Sequence, residues 1–151
     1  MDAAENNVAR NQWLAWYVAN DTEANEEVTL ALFEAVFAES KFKNYANKIV
    51  PSSLAIPHDA VGQDHDSVGI LQQRVKTNGG SKGWGNVHQA MDPDHAMREF
   101  VKRAKGSKKT GQGAHLVAQS VQRSAFSDGR NYAAKEPVAH DMVFRMRQAC
   151  A

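Results

Sequence analysis

Residues 25–40, NEEVTLALFEAVFAES, constrain this chain more than any other stretch. Val28, Leu30, Ala31, Leu32, Phe33, Ala35, Val36, Phe37 and Ala38 leave only Thr29 and Glu34 to interrupt the apolar surface. A surface helix needs a polar side for water, and this one has almost none, so it belongs in the middle of a domain. Its start is marked. Asn25 reads as an N-cap, and Glu26 and Glu27 suit the positive end of the helix dipole.

The chain has 151 residues, enough for a single domain over 1–151 with its own core. Its one cysteine, Cys150, excludes an intrachain disulfide framework, so stability must come from packing. No window approaches the ~20 apolar residues of a membrane span, and no membrane insertion is expected. The net charge of +1 argues against a nucleic-acid binder, though local patches still suit an anionic polymer. MDAAENNVARNQ shows no basic region followed by an apolar run, so no secretory signal is expected and delivery to another compartment would need other means.

Further helices are expected around the central one. Leu14, Trp16, Tyr17 and Val18 mark a first helix weakly. Asp92-Pro93 is a cap followed by proline at the first helical position, with Met97, Phe100, Val101 and Ala104 on one face and Gly106 placed to end the helix. Residues 105–113 read as a basic, mobile loop. Helices follow over about 114–124, with Val117 and Val121 inward, and from about Pro137, presenting Val138, Met142, Val143 and Met146. Residues 41–91 are loop-rich, with one apolar knot at Val68, Ile70 and Leu71, and a glycine-rich segment at 77–86 carrying Trp84. Long irregular segments in a compact domain are usually functional. The fold class is mainly α, four or five helices around a central buried helix, with a loop-rich lobe inserted.

Glu39 is the most informative single residue. At the C-terminal end of the central helix, the dipole and desolvation both favour the neutral acid. A carboxyl kept protonated near neutral pH is what glycosidic cleavage needs, because the leaving oxygen must receive a proton. The plain alternative is a glutamate turned into solvent. His58, Asp59, Asp64, His65 and Asp66 form a second cluster. It reads as a second carboxylate for an oxocarbenium-like transition state, as a metal site, or as residues that fix turns by bonding backbone amides. The spacing matches no standard zinc or calcium signature, and the turn-fixing reading is favoured; no metal or other cofactor is expected. Trp84 suits stacking on a sugar ring or plugging the core edge. Gln72, Gln73, Gln119 and Gln122 suit sugar hydroxyls or plain surface. Lys105, Lys108 and Lys109 suit an anionic wall polymer or a solvated loop. Ser40 and Ser67 sit in no nucleophile elbow, and Cys150 has no base partner.

AESKFKNYAN (38–47) followed by DSVGILQQR (66–74) resembles the lysozyme-like transglycosylase superfamily, which includes goose-type lysozymes and soluble lytic transglycosylases. Its members share a Glu-Ser pair at the end of a central helix and a Gly-hydrophobic-hydrophobic-Gln motif some thirty residues later. Here these are Glu39-Ser40 and Gly69-Ile70-Leu71-Gln72. A narrower group from actinobacteria and their phages carries counterparts of VPSSLAIPHDAVGQDHDSVGILQQR, GWGNVHQAMDP and AQSVQRSAF, spanning 50–126 here. The resemblance implies a lysozyme-like fold with Glu39 as general acid and Ser40 supporting it. Gly69 to Gln72 would line the substrate cleft, with Gln72 bonding the substrate or positioning Glu39; Gln73 and Trp84 are further candidate substrate contacts. AQSVQRSAF falls where the family usually carries Ala-Tyr-Asn, whose tyrosine contacts the catalytic glutamate. Val121 and Gln122 stand there instead, and Gln122 is the expected substitute. Goose-type lysozymes carry aspartates before the Gly-Gln motif, which makes Asp66 and Asp64 the candidate second carboxylates.

The resemblance implies cleavage of the β-1,4 bond between N-acetylmuramic acid and N-acetylglucosamine, by hydrolysis or by transglycosylation. The expected partner is the glycan strand of bacterial peptidoglycan, met by a monomer acting as a phage endolysin or virion-associated lysin. A metal-dependent peptidoglycan amidase or peptidase, and a non-catalytic wall-binding module, are the alternatives.

Overall fold

The computed structural model describes residues 3–75 and 85–151. The chain is mainly helical, and no helix among the described residues is long and apolar enough to cross a membrane. Two compact units emerge, Met1–Leu14 with Glu39–Met97, and Ala15–Ala38 with Arg98–Ala151.

Two long helices begin the chain, α1 (Ala3–Asp21) and α2 (Glu26–Ser40). Asn25 caps α2 as its position predicts, its Oδ1 accepting from Val28 N at 2.9 Å. From Leu30 to Val36 every residue of α2 is buried, Glu34 included. The weakly marked first helix is longer than its apolar cluster suggests, because its polar first half is held by tertiary bonds. Asn7 Nδ2 and Asn11 Nδ2 donate to the Asp59 carboxylate at 2.8 and 3.3 Å, and Asn11 Nδ2 also donates to Phe42 O at 2.8 Å.

In the first unit, the described residues of 41–91 carry short regular pieces rather than open loop. β1 (Tyr45–Asn47) pairs parallel with β2 (Ala60–Gly62), with Ala46 opposite Val61. α3 (Pro51–Leu54) lies in the crossover. β3 (Ser67–Val68) pairs antiparallel with β4 (Gln73–Arg74), with Ser67 opposite Arg74. α4 (Val87–Ala90) opens on an Asn86–Gln89 capping box. Ala46, Val50, Val68, Val75, Ala90 and Met91 form this unit's small core, with Ile56 and Val87 packed against it.

The second unit contains the fully buried part of α2 and most of α5 (Pro93–Lys105). It is completed by α6 (Ala114–Gln122), α7 (Arg130–Ala133) and α8 (Glu136–Ala149). Phe100, Val101 and Ala104 are buried as their spacing predicts, as are Val117, Val121, Val143 and Met146. Asp92 Oδ1 accepts from Asp94 N and His95 N, so the Asp-Pro cap of α5 is real. α7 escapes the sequence reading, although its Tyr132 is among the largest fully buried side chains. The basic loop after α5 is tied down rather than loose. The Glu27 carboxylate accepts from Gly111 N at 2.8 Å and from Gly113 N at 2.9 Å.

Candidate active site

α2 ends abruptly. Lys41 and Phe42 both take left-handed conformations, with φ of 52° and 65°, which is rare for residues with a Cβ. Phe42 is fully buried, which holds this reversal in place. Glu39 and Ser40 therefore sit at a fixed corner of the first unit. Glu39 is half-buried, and Ser40 is buried.

Ser40 connects the corner to a distant part of the sequence. Its Oγ donates to Ile70 O at 2.6 Å. Ile70 belongs to the four-residue turn that joins β3 to β4, so the Glu-Ser pair and the Gly-Ile-Leu-Gln motif meet in space. The turn is rigid for local reasons. Gly69 N donates to Tyr45 O at 2.8 Å, Ile70 and Leu71 are fully buried, and Gln72 Nε2 donates to Gly69 O at 2.9 Å. Gln72 itself is left-handed, with φ of 52°. Only glycine fits at position 69, where φ is 86° and a Cβ would lie 2.1 Å from Ala90 O.

The two candidate aspartates differ sharply. Asp66 Oδ1 accepts from Arg74 Nε at 2.6 Å across the β3–β4 hairpin, and its side chain is 16 % exposed. Asp64 is 81 % exposed at its side chain and lies 2.8 Å from His65 Nδ1. Asp59 fits the turn-fixing reading of the cluster, since Asn44 N donates to it at 2.9 Å in addition to the two α1 asparagines. His58 Nδ1 likewise bonds Ile56 O at 2.7 Å. Among the described residues, no group of three or more His, Cys, Asp or Glu side chains is arranged to hold a metal ion.

The remaining candidates separate by position. Gln73 is buried in β4, so its place is in the hairpin rather than in contact with solvent. Gln122, half-buried, is the last residue of α6 and belongs to the second unit, next to buried Val121. Gln119 is spent locally, its amide bonding the backbone N–H, carbonyl and hydroxyl of Ser124. Trp84 lies outside the described residues. A separate cleft of about 400 Å³ in the first unit is lined by Arg10, Asn44, His58, Asp59 and His88, among others, and by none of Glu39, Asp64 and Asp66.

One chemically unusual group escapes the sequence reading. Glu34 is completely buried in α2, and neither of its oxygens has a hydrogen-bond partner among the described residues. Burial pushes its carboxyl up to about 8, and the neighbouring Glu136 adds to the effect. A polar residue inside an otherwise apolar helix was the available signal.

Comparison with known proteins leaves the chain without a family assignment: no family model matches it, and no curated sequence matches it.

Proposed function

We propose that this chain is a peptidoglycan-cleaving glycosidase of the lysozyme-like type, acting on the β-1,4 bond between N-acetylmuramic acid and N-acetylglucosamine with Glu39 as general acid. The observation that carries this reading is the 2.6 Å bond from Ser40 Oγ to Ile70 O, which joins the two motifs of the resemblance across thirty residues of sequence. A catalytic carboxyl must be held within a fraction of an ångström to act in a transition state. A buried tie on the adjacent residue supplies that kind of restraint. The mainly helical fold, with α2 buried from Leu30 to Val36, supports a lysozyme-like architecture.

In this reading Glu39 gives its proton to the glycosidic oxygen as the bond to the muramic C1 breaks. Ser40 and Gly69 set the position of the corner, and Gln72 bounds the cleft. Asp66 is neutralised by Arg74, which weakens it as a stabiliser of positive charge, and Asp64 stands in solvent. A single catalytic carboxyl, with attack by the substrate's own hydroxyl, fits this arrangement better than a two-carboxylate hydrolysis. The biological setting is that of a phage-type lysin acting on the bacterial wall as a monomer.

Mass spectrometry of muropeptides released from purified peptidoglycan tests the proposal. Wild type should yield anhydro-muramic ends, and Glu39→Gln should lower release by at least about 100-fold, the low end of general acid–base contributions. Reducing ends would turn the mechanism to hydrolysis and return attention to Asp66 and Asp64. Undiminished release by Glu39→Gln would refute the role of Glu39. Activity abolished by a chelator would favour the metal-dependent amidase instead.

A further inference from the structure

Between Glu99 and Asp128 the chain carries no acidic residue, while Lys102, Arg103, Lys105, Lys108, Lys109 and Arg123 all fall there. In a chain of net charge +1 this is a concentrated excess. The segment lies wholly in the second unit. Its charges are presented rather than scattered, because the loop after α5 is fastened at two points. The Glu27 carboxylate takes the N–H groups of Gly111 and Gly113, and Ser107 Oγ lies 2.7 Å from Ser120 Oγ, which brings the loop against α6 one turn before Arg123.

The nearby acids are engaged elsewhere. Asp21 pairs with Arg98, Glu26 with Arg147, and Glu99 with Arg103, while Glu27 is spent on the loop backbone. Lys105 Nζ donates to Thr22 O. That leaves Lys102, Lys108, Lys109 and Arg123 exposed and with no ion pair among the described residues. Unneutralised cations on a positioned surface suit a polymer with regularly spaced negative charges, whose bound counterions they would displace. No Phe, Tyr or Trp occurs between Phe100 and Phe126, so the segment that carries these cations offers no such ring of its own on which a nucleic-acid base could stack. The chemistry therefore favours a polyanion without bases.

We propose that Lys102, Lys108, Lys109 and Arg123 form a docking surface for a linear polyol-phosphate polymer of the bacterial envelope. The choice of envelope as its source rests on the wall-cleaving reading; the charge argument does not. The test is a binding titration of the full chain with poly(glycerol phosphate) of defined length across a salt series. Single-stranded DNA of equal phosphate count and a neutral chito-oligosaccharide serve as comparisons. Four contacts at ~0.7 counterions each give a log–log slope near −3, or roughly 50-fold weaker binding at about 200 mM than at about 50 mM salt.

The combined Lys102→Gln, Lys108→Gln, Lys109→Gln and Arg123→Gln variant should bring that slope close to zero. Because all four side chains are exposed, its melting temperature should match wild type. It should also release muropeptides normally from walls stripped of phosphate polymer. An unchanged slope in the variant, or no binding by wild type at low salt, would overturn the proposal. Tighter binding of DNA than of poly(glycerol phosphate) would assign the surface to nucleic acid instead. Intact polymer binding without any muropeptide release would sink the glycosidase reading and leave this surface standing.

Discussion

Glu34 makes stability depend on pH in a way that an ordinary surface carboxylate would not. Its carboxyl moves from an ordinary value of 4.5 to about 8 on folding, chiefly because burial disfavours the charged form and secondly because Glu136 repels it. The folded state therefore holds a proton that the unfolded chain has already released. Stability from this group is fully present below about 4.5, falls as pH rises through the interval, and levels off above about 8. Within the interval the slope is about 1.4 kcal/mol per pH unit, so roughly 3 kcal/mol is lost between about pH 5 and pH 7.5. For a chain of this size that corresponds to a fall of roughly 6–12 °C in melting temperature. Glu34→Gln removes the titration while keeping the shape. Urea unfolding of both proteins across this range should give curves that diverge as pH rises, with the variant the more stable at the alkaline end. Glu34→Met, which also removes the orphaned oxygens, should gain a further 1–3 kcal/mol or so at every pH. Parallel pH profiles for wild type and Glu34→Gln would show that the carboxyl is not held neutral, and the burial argument would fail.

Two substitutions probe the corner and the turn. Gly69→Ala places a Cβ about 2.1 Å from Ala90 O at a left-handed φ, and should destabilise by about 3 kcal/mol or more or prevent folding, read by thermal denaturation. Ser40→Ala removes the donor to a buried carbonyl and should cost about 1–3 kcal/mol. In muropeptide release, Ser40→Ala should lower kcat with little change in KM, and Ser40→Thr should restore much of it. A loss confined to KM would mean that Ser40 meets substrate directly.

Much of the helical frame is legible in the sequence because its signals are local. The cap at Asn25, the apolar run after it, the Asp92-Pro93 start and the Gly106 stop each act within a few residues of themselves. The first half of α1 is not legible in this way. Asn7 and Asn11 are held by Asp59, about fifty residues away, and nothing in their own neighbourhood announces it. α7 is one turn long, too short for periodicity to appear. At the candidate site, Glu39, Ser40 and the 69–72 turn follow from the resemblance. Their joining bond, the pairing of Asp66 with Arg74 and the buried state of Gln73 depend on three-dimensional packing. Glu34 was within reach, since a polar residue on a helix without a wet side has nowhere to go but inward.

The tie between Ser40 and Ile70 also closes residues 41–69 into a loop whose two ends are anchored independently of its tip. Gly62 O accepts from Lys48 N at 3.0 Å, and Asp64 O accepts from Ser67 N at 3.2 Å, leaving exposed Gln63 between the two anchors. Lengthening a loop costs only about 0.6 kcal/mol per doubling. A foreign peptide spliced next to Gln63 should therefore hang outside both anchors without displacing the corner or the turn. That makes this position a natural graft point for an added segment.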